Sequence, residues 1–476
     1  MFNCRRNISI LILIIFIAAG CKVPSVVQQN ENRSVPFSYT NNTDSTNAAT
    51  ISWRNFFTDP NLVNLIDTAL KRNQELNITL QEIEIAKNEI LFRQGALKPM
   101  VNARLGIGVD KVGRYTSQGA GDATTEIKPG KEMPDPLTDF TGGAYATWEL
   151  DVWKKLRNAK KAAITRYLST IEGKNFVLTN LISEVATSYY ELLALDNQLE
   201  IVQQNIALQK NALDIVKIQK EAARTTELAV QKFDAEVLGS QSLEFDIRQQ
   251  IVETENRINF LLARYPQPIT RSKTNFLDLM PPIIYSGIPS QLLANRADIR
   301  QAELDLAAAK LDVKVARAEF YPSFEISAGV GLQAFNPAYL VKMPESILYS
   351  LAGDVAGPLI NRNAIKAEYY SANAKQIQAV FNYERSILNA YLDVSSGLSK
   401  IDNLQKSYEI KKQQADALTK SIDISNDLFK NARADYFEVL MTQRDALDTK
   451  LDLIEKKKDQ LTTTVKLYNS LGGGWR

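Results

Sequence analysis

Ser323-Phe324-Glu325-Ile326-Ser327-Ala328-Gly329-Val330-Gly331-Leu332 alternates without a break, apolar at every even number and polar or glycine at every odd one. Val101-Asn102-Ala103-Arg104-Leu105-Gly106-Ile107-Gly108-Val109-Asp110 does the same with its apolar residues at odd numbers. A period of two places the two sets of side chains on opposite faces of a strand. Segments 143–153 and 347–357 alternate less cleanly, carrying Ala144, Ala146, Trp148, Leu150 and Val152 in one and Ile347, Tyr349, Leu351 and Val355 in the other. About ten residues suffice for a tilted strand to cross a bilayer. A half-buried strand of a soluble sheet has the same pattern, so periodicity alone leaves both open. The glycine- and proline-rich stretch 113–138 and Gln333 to Pro344 read as turns between paired strands. Membrane barrels start at eight strands, so four cannot close one. Other copies of the chain are expected to complete the sheet.

The rest of the chain has helical character. No proline occurs between Pro136 and Pro266 or after Pro358. Lys154 to about Ala222, Ala364 to Lys430 and Phe437 to Leu471 are rich in Ala, Leu, Glu, Lys and Gln, and Leu192, Leu195, Leu199 and Val202 recur at helical spacing. A helix of roughly 70 residues reaches on the order of 100 Å. Such a length implies a coiled coil or a bundle of rods. The expected fold class is mainly α with transmembrane β: long antiparallel helices and four strands per chain.

The pattern occurs twice. Leu97-Lys98-Pro99-Met100-Val101 and Phe320-Tyr321-Pro322-Ser323-Phe324 each lead through a proline into an alternating strand, at a shift of 223. Ala223-Arg224 and Leu228-x-Val230 match Ala432-Arg433 and Phe437-x-Val439 at a shift of 209. Two helix–strand–strand–helix repeats are expected at 51–265 and 289–471, joined by a linker at 266–288 and followed by a tail at 472–476.

The chain has 476 residues, 56 Lys+Arg against 54 Asp+Glu, and no histidine. Ser-His-Asp and Cys-His catalysis, a His general base and a His-x-x-His zinc site are thereby excluded. A net charge of +2 argues against a nucleic-acid partner. No enzyme activity and no cofactor are expected. Arg5, Arg6 and the apolar run from Ile8 to Ala19 read as a signal peptide over 1–20, too short to span a bilayer. Ile17-Ala18-Ala19-Gly20-Cys21 resembles the bacterial lipobox, in which the cysteine is lipidated after cleavage; an ordinary signal with an incidental cysteine is the alternative. Cleavage also removes Cys4, leaving Cys21 alone and no intrachain disulfide. Lys22 stands where aspartate tends to hold lipoproteins at the inner membrane, which favours the outer one. Several acyl chains make a firm anchor where one binds marginally. The Asn-, Gln- and Ser-rich residues that follow read as a lipidated tether over 21–50.

The sequence resembles the TolC-type outer-membrane efflux protein family, in its lipoprotein branch. Trp53-x-x-Phe56-x-x-Asp59-Pro60-x-Leu62-x-x-Leu65-Ile66-x-x-Ala69-Leu70-x-x-Asn73 is similar to the family's first-helix signature, and Trp148-Glu149-Leu150-Asp151-Val152-Trp153 to its strand-to-helix junction. Ile288-Pro289-Ser290-x-Leu292-Leu293-x-x-Arg296-x-Asp298-Ile299-Arg300-x-Ala302-Glu303, continuing through Val315-Ala316-Arg317-Ala318-x-Phe320-Tyr321-Pro322-Ser323, is the most specific match. The ending Leu467-Tyr468-x-x-Leu471-Gly472-Gly473-Gly474-Trp475 also fits. The resemblance implies a homotrimer with a twelve-stranded barrel above a helical tunnel. It also implies docking of the tunnel tip to a periplasmic adaptor and an inner-membrane RND-type pump, as a passive conduit exporting small molecules.

By the same resemblance the tip is formed by the helical turns Ala222 to Leu228 and Asn431 to Phe437. Arg224, Thr225, Thr226, Arg433, Ala434 and Asp435 become the adaptor-contact candidates, although such residues also cap helices or sit in solvent. Glu438, in Tyr436-Phe437-Glu438-Val439-Leu440, resembles the acidic residue at the family's channel constriction. Three copies would make a ring that attracts cations. Its duplicate position is Ala229, and Met441 stands where some members carry a second acid. A solvated surface glutamate is the plainer alternative. Trp148, Trp153 and Tyr145 suit an interfacial girdle or core packing equally, and Glu149 and Asp151 suggest a polar lumen. Lack of histidine and only six methionines disfavour a dedicated copper or silver path. A lipid-anchored coiled coil without a pore is the competing function, which would keep the alternating segments in a soluble cap. A periplasmic adaptor is a third, and the duplication speaks against it.

Overall fold

A computed structural model describes residues 23–39, 45–272, 276–282, 284–358, 360–431 and 433–475. The main elements are α1 (Pro60–Arg72), α2 (Gln74–Gly95), β1 (Met100–Asp110), β2 (Leu137–Leu150), α3 (Lys155–Glu221), α4 (Glu227–Leu261), α5 (Ala297–Ala318), β3 (Ser323–Ala334), β4 (Ile347–Ala356), α6 (Asn363–Lys430) and α7 (Tyr436–Ser470). Corresponding helices match in length: 22 residues in α2 and α5, 67 and 68 in α3 and α6, and 35 in both α4 and α7. Both halves thus run helix, strand, strand, helix, helix, as the internal shifts imply. No helix among the described residues is long and apolar enough to cross a membrane.

The chain forms two compact units. One gathers Glu84–Tyr167 and Leu304–Val380 with the described residues up to Asn30; the other gathers Glu31–Ile83, Leu168–Glu303 and Phe381–Arg476.

The core of the helical unit explains the first signature residue by residue. Asp59 caps α1 by accepting from the Asn61 amide at 2.8 Å, and Pro60 takes the first helical position, where its missing N–H costs nothing. Leu62, Leu65, Ile66 and Ala69 form the buried stripe. They join Tyr189, Leu192 and Val185 of α3, Ile258 of α4, and Ile454, Leu461 and Tyr468 of α7. Tyr189 donates its hydroxyl to Asp59 at 2.6 Å, and burial together with that carboxylate pushes its phenol above the usual range. Phe56 stacks on Tyr468 with centroids 4.0 Å apart. Asn73 starts α2 by accepting from the Leu76 amide at 3.0 Å while donating to the Leu261 carbonyl at 2.9 Å.

The second signature ties the start of the second repeat to the chain end. Arg296 holds Asp298 with two hydrogen bonds of 2.9 and 2.7 Å, and reaches Asp393 at 3.2 Å and the Ser470 carbonyl at 3.1 Å. Gly472 has φ +91°, and a Cβ there would stand 2.5 Å from the Asn295 carbonyl, so only glycine fits. Trp475 donates to that same carbonyl at 3.2 Å.

In the other unit β1, β2, β3 and β4 make one antiparallel sheet in that order. β2 begins at Leu137, six residues before the alternating segment, and stops at Leu150 rather than continuing to 153. The β1–β2 connection holds a short helix, Ser117–Asp122, and a small hairpin of Glu126–Lys128 with Lys131–Glu132. The tether expectation also needs correction for the residues described. Val23 and Val26 pack on a cluster of Ala316, Phe320 and Tyr369, and the Gln29 carbonyl accepts from Gln376 at 3.2 Å. Farther along, Asn32 donates its amide to Glu384, Arg33 pairs with Glu303 at 2.9 Å, and Ala48 and Ala49 are buried. The segment docks largely through backbone and polar contacts, which its composition does not display. Cys21 lies outside the described residues.

Candidate channel wall and turn tips

The register of the sheet aligns its alternations. Val101 faces Ala146, which faces Ala328, which faces Leu351; Leu105, Gly142, Leu332 and Ile347 form a parallel row, as do Ala103, Ala144, Val330 and Tyr349. Directly opposed residues share a face, so one face of all four strands is apolar. The other bears Asn102, Arg104, Asp139, Thr141, Thr147, Glu325, Ser327, Gln333, Ser350 and Asp354. On that polar face Gly143 opposes Gly331, and a Cβ on Gly331 would lie 2.5 Å from the Gly142 carbonyl. This pair lets β2 and β3 approach closely. β1 and β4 are the sheet's outer strands and have no second strand partner among the described residues.

Where β2 gives way to α3, the acidic residues serve the junction. Asp151 accepts from the Leu156 and Arg157 amides and from the Arg157 guanidinium, each at 2.9 Å. Burial alone would raise the Asp151 carboxyl, but Arg157 and the two amides outweigh it and hold it below its usual range. Glu149 binds Lys155 at 2.6 Å. Asp151 is therefore a helix cap rather than a lumen charge. Trp153 stacks on Tyr321 with centroids 4.8 Å apart and donates to the Pro322 carbonyl at 2.8 Å. Trp148 donates to the Leu97 carbonyl at 3.1 Å. Both rings remain partly exposed with their N–H groups satisfied.

The two helical turns are built alike. α3 ends with Ala223 at φ 55°, its amide on the Lys220 carbonyl and the Arg224 amide on the Gln219 carbonyl at 2.8 Å. This is the left-handed closure that frees the chain to reverse. Thr226 then caps α4 through the Ala229 amide, and Lys220 pairs with Glu227 across the turn. In the second turn the Arg433 amide bonds the Leu428 carbonyl at 2.9 Å, and Asp435 precedes α7 without a side-chain cap bond. Beneath both lies a cluster of Leu213, Val216, Ala229, Val230, Phe233, Val237, Val439 and Leu440. Lys232 of α4 lies over the Phe437 ring of α7 at 5.3 Å.

The candidate residues sit at the ends of this cluster. Arg224, Arg433, Asp435 and Glu438 are exposed and have no ion-pair partner among the described residues; Thr225 and Ala434 are half-buried. Glu438 occupies the first turn of α7, where a carboxylate suits the positive helix end. Its duplicate, Ala229, is fully buried. Equivalent backbone positions therefore carry opposite environments. No group of three or more acidic or cysteine side chains with metal-binding geometry occurs among the described residues.

A sheet apolar on one face and polar on the other, joined to long paired helices, is the arrangement expected of an outer-membrane channel subunit. The outer membrane efflux protein family matches residues 65–264 and 288–473, and the chain belongs to that family. The pyoverdine export outer membrane protein OpmQ of Pseudomonas aeruginosa is 28% identical over 425 residues, covering 89% of this chain and 87% of the relative. The probable outer membrane lipoprotein SilC of Salmonella typhimurium is 25% identical over 466 residues and 97% of each chain. A crystal structure of the channel protein CusC superposes with a TM-score of 0.82 at 22% identity, covering 94% of this chain and 99% of that one. The protein is an outer-membrane efflux component, with a four-stranded contribution to a barrel and a periplasmic helical part.

Proposed function

We propose that three copies associate through the open edges of β1 and β4 to close a twelve-stranded barrel, making a passive conduit for small molecules. The apolar face then meets lipid and the polar face lines water, and the register-aligned faces of the sheet are the observation that carries this reading. The helical part extends the conduit into the periplasm. There Arg224, Thr225, Thr226, Arg433, Ala434 and Asp435 meet a periplasmic adaptor that links the trimer to an inner-membrane RND-type pump. Exposure of Arg224, Arg433 and Asp435 without internal ion-pair partners supports that role. Cys21, acylated after signal removal, adds a lipid anchor.

Glu438 lines the narrow end. Its exposure at a helix start, above the buried Val439 and Leu440, lets three symmetry copies present a ring of carboxylates. Ion current across a planar bilayer under a salt gradient tests the reading. Small discrete steps with cation preference are expected, and Glu438→Gln reduces that preference without changing trimer yield. Silence after Arg433→Ala has loosened the tip would overturn the conduit. Unchanged selectivity in Glu438→Gln would remove Glu438 from the constriction.

A further inference from the structure

A cleft of about 310 Å³ lies between α5 and α6 under residues 26–30 of the N-terminal segment. Lys310, Lys314 and Arg317 line it from α5, at spacings of four and three that bring them to one helix face. Tyr369, Asn373 and Gln376 line it from α6. No acidic side chain takes part in the lining. The acids nearest in the α5 sequence are engaged elsewhere, Asp312 with Arg166 and Glu319 with Lys155. Lys314 and Arg317 are exposed and have no ion-pair partner among the described residues. Tyr369 is buried against Ala316 and Phe320, with the two rings edge to face at 5.6 Å. The cleft therefore joins an apolar floor to a cationic rim with amide donors.

Its level in the membrane follows from the chain. Arg317 precedes the start of β3 by six residues, and the stacked Trp153–Tyr321 pair falls between them. In the proposed barrel the sheet enters the hydrocarbon region near the start of β3, so the membrane boundary falls close to this pair. Cations one or two helical turns beyond that boundary face the phosphates of the periplasmic leaflet.

We propose that this cleft binds the headgroup of an anionic phospholipid of the phosphatidylglycerol class, drawn from the periplasmic leaflet beside the barrel. The inference rests on the reading that the sheet stands in the outer membrane. Lys314 and Arg317 hold the phosphodiester, and the side-chain amide of Asn373 suits the glycerol hydroxyls. A zwitterionic lipid offers no net charge to offset Lys314 and Arg317 and brings an ammonium group that they repel. Clusters of cations at the membrane surface are known to select anionic headgroups in this way, at about 1 kcal/mol per charge.

The test uses the full-length protein in nanodiscs of equal phosphatidylglycerol and phosphatidylcholine, with retained lipid counted by native mass spectrometry. Wild type is expected to retain phosphatidylglycerol preferentially. Lys314→Gln with Arg317→Gln lowers that preference roughly 30-fold, the equivalent of two surface charges. Lys71→Gln, a charge removal in the helical unit, leaves it unchanged, and Lys314→Arg retains it. Displacement of the lipid by millimolar inorganic phosphate would make this a free-phosphate site and overturn the lipid assignment. Equal preference in wild type and the double variant would overturn the cleft. A wild type that conducts ions yet shows no lipid preference sinks this inference alone; one that never enters a bilayer sinks the channel reading too.

Discussion

The apolar residues of β1 and those of α3 are similar in kind and opposite in exposure. Leu105 and Ile107 are 90% and 80% exposed in the single chain, whereas Leu192 and Val185 are fully buried. Around Leu192 the chain supplies its own partners from α1, α4 and α7. Leu105 lies in none of the buried clusters formed by the described residues, because its face of the four-stranded sheet is left largely exposed. The hydrophobic effect acts on both regions, but only one of them is satisfied within the chain. In the proposed assembly the other depends on lipid and on further copies.

The sharpest test of this contrast pairs two truncations. Leu192→Ala leaves a cavity in a packed interior and should cost about 2–5 kcal/mol of unfolding free energy. Leu105→Ala in detergent should cost less than half as much, because fluid acyl chains refill the space; denaturant titration of both variants decides it. Equal losses would mean that the sheet is covered by protein. Next in size is Leu351→Arg, a charge on the apolar face, expected to cost about 2–4 kcal/mol. It should deplete assembled protein from the outer-membrane fraction, whereas Ser350→Arg, one residue along on the polar face, should not. Smallest is Asp151→Ala at the junction, where loss of a cap costs about 1 kcal/mol. A carboxylate held below its usual range contributes its stability above about pH 4 and loses it as pH falls through the folded value. The difference between wild type and Asp151→Ala in thermal melts should therefore shrink in acid.

The long helices and the strands were legible because each has a period, and burial enforces the period. β3 runs from Ser323 in register with its pattern, and the pattern of β1 is intact from Val101. The first part of β2 was hidden because its outward positions, Thr138, Phe140 and Gly142, include a single large apolar residue. Its far end was overread because Val152 continues the alternation while Asp151 has already turned the chain into α3. The N-terminal segment reads as a tether by composition, since its backbone does much of the binding. Glu438 and Ala229 occupy equivalent positions in the duplication, yet repeat alignment carries no information about which helix face meets a neighbour. The turn residues were placed correctly at the reversal, and their unpaired charges appear only once the structure shows what surrounds them.

The shared register across β1–β4 also sets where the gene can change length. One residue inserted within any of these strands would rotate the following side chains by half a period, sending leucines into water and carboxylates into lipid. The connection between β1 and β2, with its own short helix and hairpin, imposes no such parity. Insertions, deletions and epitope tags should therefore be tolerated over 113–136 and rejected within Val101–Asp110. For anyone labelling this channel, that parity is the practical map.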